Sequence, residues 1–400
     1  MSRISRILFF LFSSAIVLGL LLPTFDAVGQ DKKKKKKDDP NQVKDKKDDK
    51  DKKDDKKEEK KKEEFKPEPA QIELKHVEKD KMSEKEKSFW VYDVAFGPGG
   101  KTVAASYSDR SVRVWDLGKK SIVQTFKGPD KDAKGLAHYK SLILTEGQVL
   151  VGTGFWNDKK KAREGEIRTW DLKTGKLGKA LLGHTQDVEG LALSKDGKLL
   201  ASASEDQTVK IWDVSTGENK QTIKGHGDFV TNAAFSPDGK HLVTTSKDKT
   251  LRIWDIAGAK EIAQFKVDRE VEVKDAKGKV TKQKELGREF TNAVFTNDGK
   301  LVMAGNLDGV VKVYDVDAKK EVKELKAHEG IWALALSPDG TKLATGGYDQ
   351  TIRLWSVPDF KELRTIKAHL ANVTAVSFSP DGQWLVSGST DGLVKVWSVK

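Results

Sequence analysis

The chain contains no cysteine. That excludes disulfides, thiolate metal sites, a cysteine nucleophile and a lipidated N-terminal cysteine. A chain without thiols is compatible with any redox compartment. Beyond the first thirty residues no apolar run is long enough to span a bilayer. After residue 90 no stretch carries a sustained helical period of apolar residues. Grouped carboxylates, a metal-ligand spacing and a nucleophile motif are all missing outside the repeated units described below. The formal net charge is +12. No basic stripe is interleaved with aromatics as in single-strand binders, so nucleic acid is not an expected partner.

What is present begins with a leader. "MSRISR" is short and basic, Ile7 to Leu22 is apolar, Pro23 ends the run, and Ala27 and Gly29 are small residues placed before a cut. This layout predicts a secretory signal peptide over residues 1–29, cleaved after Gly29. The competing reading is an uncleaved N-terminal anchor, which would be the chain's sole membrane contact. Residues 30–69 form a linker that is almost wholly Lys, Asp and Glu. From residue 31 to 64 there are 17 Lys and 13 acidic residues. Such a segment cannot bury apolar surface to offset its backbone entropy, and disorder is expected. It reads as a solvated spacer, with attraction to an anionic envelope polymer as the alternative.

Residues 70–400 read differently. "SVRVWD", "TVKIWD", "TLRIWD", "VVKVYD", "TIRLWS" and "LVKVWS" recur, and units close at Trp115, Trp170, Trp212, Trp254, Tyr314, Trp355 and Trp397. Four gaps between these closing residues are 41 or 42, and two longer gaps mark insertions. Within one unit, "VEGLALS", "KLLASAS", "TVKIWD" and "NKQTIK" are four short strands separated by "KDG", "EDQ" and "STGE" turns. A period near 42 with four strands per unit predicts a β-propeller. The last unit ends after its third strand, and "QIELKHV" (residues 71–77) precedes the first unit. These residues are expected to supply the missing outer strand and close the ring.

The Gly-His starts, "SPDG" turns and Trp-Asp ends resemble WD-repeat β-propellers. Together with the leader, they look more like an exported bacterial member of that family than an intracellular eukaryotic one. The resemblance implies an all-β, seven-bladed propeller. It also implies that a His, a Ser or Thr, an Asp and the Trp of each regular blade form a buried hydrogen-bonded set. Those sets are His184, Ser202, Asp206 and Trp212; His226, Thr244, Asp248 and Trp254; His328, Thr345, Asp349 and Trp355; and His369, Ser387, Asp391 and Trp397. Blades one and five place Ala105 and Ala304 at the hydroxyl position, and blade two lacks a matching His and turn Asp. A His beside an Asp and a Ser invites a hydrolytic-triad reading, but four copies at one period are architecture, and no catalytic residue is assigned. Every unit also carries Lys or Arg two residues before its aromatic, read as a charged tip on a stem lying along the blade.

Individuality lies in departures from the repeat: residues 78–89, 129–136, 155–165 and 267–289. All fall at links that emerge on one end of a propeller, the end at which the family often binds partners. Candidate contact residues there are Trp90, Tyr92, Trp156, Arg163, Phe229, Trp332 and Tyr348. Packing around the channel mouth is the plain alternative for Trp90, Tyr92 and Trp332. Trp156, placed in a charged loop, is the sharper candidate. The expected function is a non-catalytic protein-interaction scaffold displayed outside the cytoplasm, with no cofactor and no metal. Alternatives are an enzyme or a small-ligand or glycan receptor at the channel mouth, and electrostatic envelope attachment through the Lys-rich stalk.

Overall fold

A computed structural model describes residues 69–74, 89–127, 138–274 and 280–399. The chain divides into two units, 1–62 and 63–400, and every described residue belongs to the second. The predicted signal peptide, residues 30–68 of the linker, and the insertions at 78–88 and 129–136 lie outside the described residues.

Seven four-stranded antiparallel sheets follow one another along the chain. The third shows why each forms. Val188–Leu193, Leu199–Ser204, Thr208–Asp213 and Asn219–Lys224 pair in sequence order. Ser194 and Asp196 set the first turn: the hydroxyl donates to the carboxylate at 2.6 Å, and Gly197 takes φ 71°. The same Ser/Thr-to-Asp bond recurs at Ser236, Thr296, Ser337 and Ser379. One local rule, a side-chain bond plus a left-handed residue, thus builds this turn five times.

Strand alternation has an unusual meaning here. In "TVKIWD" the sequence sets Val209 and Ile211 against Lys210 and Trp212, yet Trp212 is as buried as its neighbours. Both faces of a blade are covered. Val209 and Ile211 join Val230, Leu242 and Trp254 of blade four. Trp212 and Leu200 join Leu150, Ile167, Leu181 and Val188 on the blade-two side. Seven such apolar layers, one per junction, make up the core. The innermost strands neighbour each other in a closed cycle, with Val373–Phe378 of blade seven against Val91–Phe96 of blade one.

Closure comes from Ile72–Leu74, which pairs with Val394–Val396 as the outermost strand of blade seven. It lies within the segment 71–77 read from sequence; residues 75–77 lie outside the described residues. Leu74 is buried in the layer between blades seven and one, with Val91, Val103 and Trp115.

The two described insertions are hairpins. Residues 268–274 and 280–286 pair over their full length on either side of "DAKGK"; the tip, 275–279, lies outside the described residues. The blade-two insertion is not a loop, which corrects the sequence reading. Its second and third strands, Gln148–Asn157 and Ala162–Asp171, stay paired out to Asn157↔Ala162, and Trp156 lies in a strand opposite Arg163. Two glycines make this possible. A Cβ at Gly154 would collide with the Asp187 carboxylate, and one at Gly165 with the Gln186 carbonyl, so the hairpin rests closely on the lead-in to blade three.

If the closing strand contributes as its burial implies, Leu74→Ala should destabilise the propeller by about 2–5 kcal/mol. Denaturant unfolding measures this, and an unchanged midpoint would mean that the strand is not seated.

Candidate interaction face and its supporting relays

The four predicted sets come together in the structure. In blade three, Trp212 Nε1–H donates to Ser202 Oγ at 2.8 Å, Ser202 lies 2.7 Å from His184 Nε2, and His184 Nδ1 lies 2.7 Å from Asp206. The indole can only donate and the carboxylate can only accept, so Ser202 Oγ takes the indole hydrogen and His184 Nδ1–H donates to Asp206. Asp206 also accepts from the Thr185 backbone and the Thr208 hydroxyl, tying the blade's lead-in to its turn. The hydroxyl-to-His and indole-to-hydroxyl distances are 2.7 and 2.8 Å in blade four, 2.8 and 3.1 Å in blade six, and 2.7 and 2.9 Å in blade seven. Burial works against the charged form of Asp206, but the bonds from His184 and Thr208 outweigh it and hold the carboxyl at about 2.

Three blades lack the relay. In blade one, Ala105 stands where Ser202 stands in blade three, and the Trp115 indole N–H is buried without an acceptor among the described residues. In blade five, Gly287 takes the His position, Ala304 the hydroxyl position, and the buried Tyr314 hydroxyl has no partner among the described residues. Tyr314 instead stacks on Phe265 at 4.2 Å. In blade two, Trp170 meets Tyr139 edge-on, and Arg168 pairs with Glu166 inside the sheet. In four blades the Lys or Arg before the aromatic is more than a stem with a solvated tip. Arg113, Arg168, Lys312 and Lys395 are buried. Arg113 pairs with Asp109, Lys312 with Glu321 and Glu324, and Lys395 donates to the Ala368 carbonyl.

A β-bulge breaks the first strand of six blades at its second residue: Tyr92, Glu189, Thr231, Thr291, Trp332 and Thr374. Lys140 holds the matching place in blade two, directly before Ser141. A bulge re-aims its side chain, and these seven form a ring at one end of the channel. Several reach the next blade. Thr291 donates to the Ile331 carbonyl at 2.9 Å, and Thr374 to the Val91 carbonyl at 2.7 Å. Lys140 bonds Glu189 and also Glu205, the latter at 3.0 Å.

The candidate residues gather on this end, around the bulge ring. Tyr92 stacks on His138 at 5.1 Å, and Trp332 meets Tyr348 edge-on at 5.8 Å. Lys247 lies 4.7 Å over the Phe229 ring. Trp90 donates its backbone N–H to Ser108 at 3.0 Å and is half-buried. Arg163 forks onto the Asp187 carboxylate and fastens the hairpin to blade three. Trp156 is 45 % exposed. Both described hairpins rise here, while the far end carries short Gly- and Asp-bearing turns. A cleft lined by Ile72, Lys101, Leu117, Trp384 and Val396 opens at that far end, along the closing seam.

The charged cluster Lys140, Glu189 and Glu205 escaped the sequence reading, because its members lie 49 and 65 residues apart. Superposing the bulge positions of adjacent blades would have placed Lys140 beside Glu189; the irregular start of blade two hid that alignment. Burial disfavours the Lys140 ammonium, yet the two carboxylates hold its pKa above the usual range. Burial, and the hydrogen bond that a protonated Glu205 carboxyl donates to Glu189, push Glu205 up to about 7. Burial also pushes Asp93 up to about 7, against the Leu142 and Val94 N–H bonds it accepts. Among the described residues no three His, Asp or Glu group as metal ligands.

Two predictions follow from these groups. Ala105→Ser should give Trp115 its missing acceptor and stabilise the fold by about 0.5–1.5 kcal/mol, whereas Thr244→Val should cost about 1–3 kcal/mol. Chemical denaturation of both variants checks the pair; a neutral Thr244→Val would remove the relay's structural role. Asp93 is expected to make stability fall between about pH 4 and 7, where the unfolded carboxyl is ionised and the folded one is not. Asp206 acts oppositely: its contribution is complete above about pH 4 and is lost as pH falls towards 2. Asp93→Asn should flatten the decline between pH 4.5 and 7, leaving the part due to Glu205; an unchanged slope would refute the assignment.

Residues 81–116, 175–213, 217–255, 319–356 and 360–398 match the family model for the WD domain, G-beta repeat. The two blades left unmatched, two and five, are among those without a relay. Among curated proteins, the chain is 27% identical over 137 residues to nuclear distribution protein nudF of Aspergillus terreus, covering 30% of this chain and 29% of the relative. It is 35% identical over 98 residues to WD repeat and SOCS box-containing protein 1 of Xenopus tropicalis, covering 24% and 20%. With mitochondrial division protein 1 of Kluyveromyces lactis, identity is 30% over 97 residues, covering 22% and 14%. The chain thus spans under a third of the length of these relatives.

Proposed function

We propose that this chain, a seven-bladed propeller of WD repeats, is a non-catalytic platform that binds protein partners through the face bearing the bulge ring and the two hairpins. The observation that carries this reading is one-sidedness. Both described insertions, the exposed Trp156 and the aromatic pairs Trp332–Tyr348 and Tyr92–His138 share one end of the ring. A purely structural ring has no reason to elaborate one end. The His–Asp pairs that might suggest hydrolysis are occupied in the relays, where their hydroxyl already accepts an indole hydrogen. WD-repeat propellers typically serve as protein-interaction scaffolds, which favours the same reading. What the matched relatives' names describe is not carried over, because so little of those proteins is covered.

Display outside the cytoplasm is part of the proposal and rests on residues 1–29 alone. The matched relatives bear on neither source nor location. Sequencing the N-terminus of the protein from its native cells tests it: Gln30 as first residue supports export, Met1 on a protein confined to the cytoplasm refutes it.

Crosslinking with mass spectrometry in native cells tests the platform. The wild type should capture a discrete protein, and a Trp156→Ala/Trp332→Ala variant of equal stability should lose it. Equal capture by both would move the site to another surface. Failure of the wild type to capture any protein would overturn the reading and favour a small ligand or glycan.

A further inference from the structure

Blades two and three meet through charge. Lys140 and Arg163 belong to blade two, and Asp187, Glu189 and Glu205 to blade three. One ammonium serves two carboxylates: Lys140 bonds Glu189 and lies 3.0 Å from Glu205. Arg163 holds Asp187, with one arm of the fork at 2.7 Å. The group is sheltered, the Glu189 and Glu205 side chains being 18 % exposed and that of Asp187 6 %. Two carboxylates in one such site do not both ionise readily. Burial, and the bond its protonated carboxyl donates to Glu189, raise Glu205 to about 7. Burial works against the Glu189 carboxylate as well, but Lys140 outweighs it and holds Glu189 below its usual value. The shared proton therefore resides on Glu205.

The other titratable and charged groups facing this trio, among the described residues, are Lys247 of blade four, Tyr92 of blade one and His138 at the start of blade two. Burial pushes the Tyr92 phenol up to about 12 and holds the His138 imidazole below its ordinary value, so both are uncharged at neutral pH. Of these groups only Glu205 changes charge near pH 7. Residues 128–137 of the blade-two lead-in lie outside the described residues.

Glu205 is tied to the seat of the blade-two hairpin. Its N–H donates to the Asp187 carbonyl at 2.9 Å, and the Ser204 hydroxyl donates to the Gln186 carbonyl at 3.1 Å. The hairpin rests on these same two residues: Arg163 grips Asp187, and Gly165 lies against the Gln186 carbonyl. The apolar layer beneath is the thinnest of the seven. Six residues are buried in it, against nine to twelve in each of the others. This junction therefore depends most on its charged groups.

We propose that the junction is a proton-operated latch, which holds the blade-two hairpin on blade three while Glu205 keeps its proton and lets the hairpin lift when that proton is lost. An ionised Glu205 is driven from Glu189 towards water, and its turn takes residues 186 and 187 with it. Glu205 titrates at about 7 when latched and at the ordinary 4.5 when hydrated. The latched arrangement is thus fully favoured below about pH 4.5, loses that advantage as pH rises to about 7, and stays loosened above. The inference goes beyond the platform reading and does not rest on it, because the latch is read on the chain alone.

Hydrogen exchange with mass spectrometry on the full chain tests it between about pH 5 and pH 8, each rate being corrected for intrinsic amide chemistry. Opening of residues 153–164 should increase at least about tenfold across that range, while blade six, residues 342–356, changes less than about twofold. Glu205→Gln, which cannot ionise, should keep the hairpin at its low-pH protection throughout. Glu189→Gln removes the like charge and should move the midpoint of the wild-type response down by about one pH unit or more. Unchanged protection of blade six shows that each variant is folded.

A hairpin whose opening ignores pH would overturn the proposal, as would a Glu205→Gln chain that keeps the wild-type response. Asp93, at the junction of blades one and two, is also raised to about 7. Asp93→Asn should leave the hairpin's response in place; loss of the response in that variant would move the titrating group to the other junction and sink the latch. None of these outcomes touches the platform reading, since no partner enters the experiment.

Discussion

Every blade needs a covered face on both sides, and that requirement governs the molecule. A sheet such as Thr208–Asp213 and its neighbours sends Val209 and Ile211 one way and Trp212 the other. An open row of blades would leave one apolar face bare at each end. The ring resolves this with Ile72–Leu74, which bring the first and last blades into a shared layer. Closure also explains where polarity is tolerated. With both faces buried, a polar side chain inside a blade must find its partner within the sheet or across one junction. The relays do the first and the bulge threonines the second.

The relays and the face are distributed in a complementary way. Blades three, four, six and seven carry the complete Trp–hydroxyl–His–Asp chain. Blades two and five do not, and the described hairpins belong to blade two and to the lead-in of blade five. In those sectors other contacts fill the gap: Arg168 with Glu166, Phe265 against Tyr314, Arg163 on Asp187. Deviating sequence was accommodated where regular blades flank it on at least one side.

Much of this was legible in the residues, for identifiable reasons. Strands and relays recur, so each copy checks the others, and His184, Ser202, Asp206 and Trp212 could be aligned with three further sets. The closing strand was legible because the last repeat lacks one. What recurs once was harder. Trp156 reads as a loop residue, because an insertion between two strands looks the same whether it coils or extends them. The decisive signal, Gly154 and Gly165 on one face of a lengthened hairpin, is visible only when the neighbouring carboxylate and carbonyl are in place. Lys140, Glu189 and Glu205 meet through the adjacency of blades, which no local pattern encodes.

The bulge has a consequence for how such a protein can diversify. It lifts one residue out of the sheet's alternation in six blades, and Lys140 takes the matching place in blade two, so that the mouth spells Tyr92, Lys140, Glu189, Thr231, Thr291, Trp332 and Thr374, one letter from each repeat. None of the seven belongs to a relay or to an apolar layer. Duplication of a repeat copies the scaffold, and later drift at this single position rewrites the alphabet at the mouth while leaving the scaffold's grammar unchanged. Recognition and folding are thereby inherited separately, and one ring can acquire a new partner without first having to learn how to fold again.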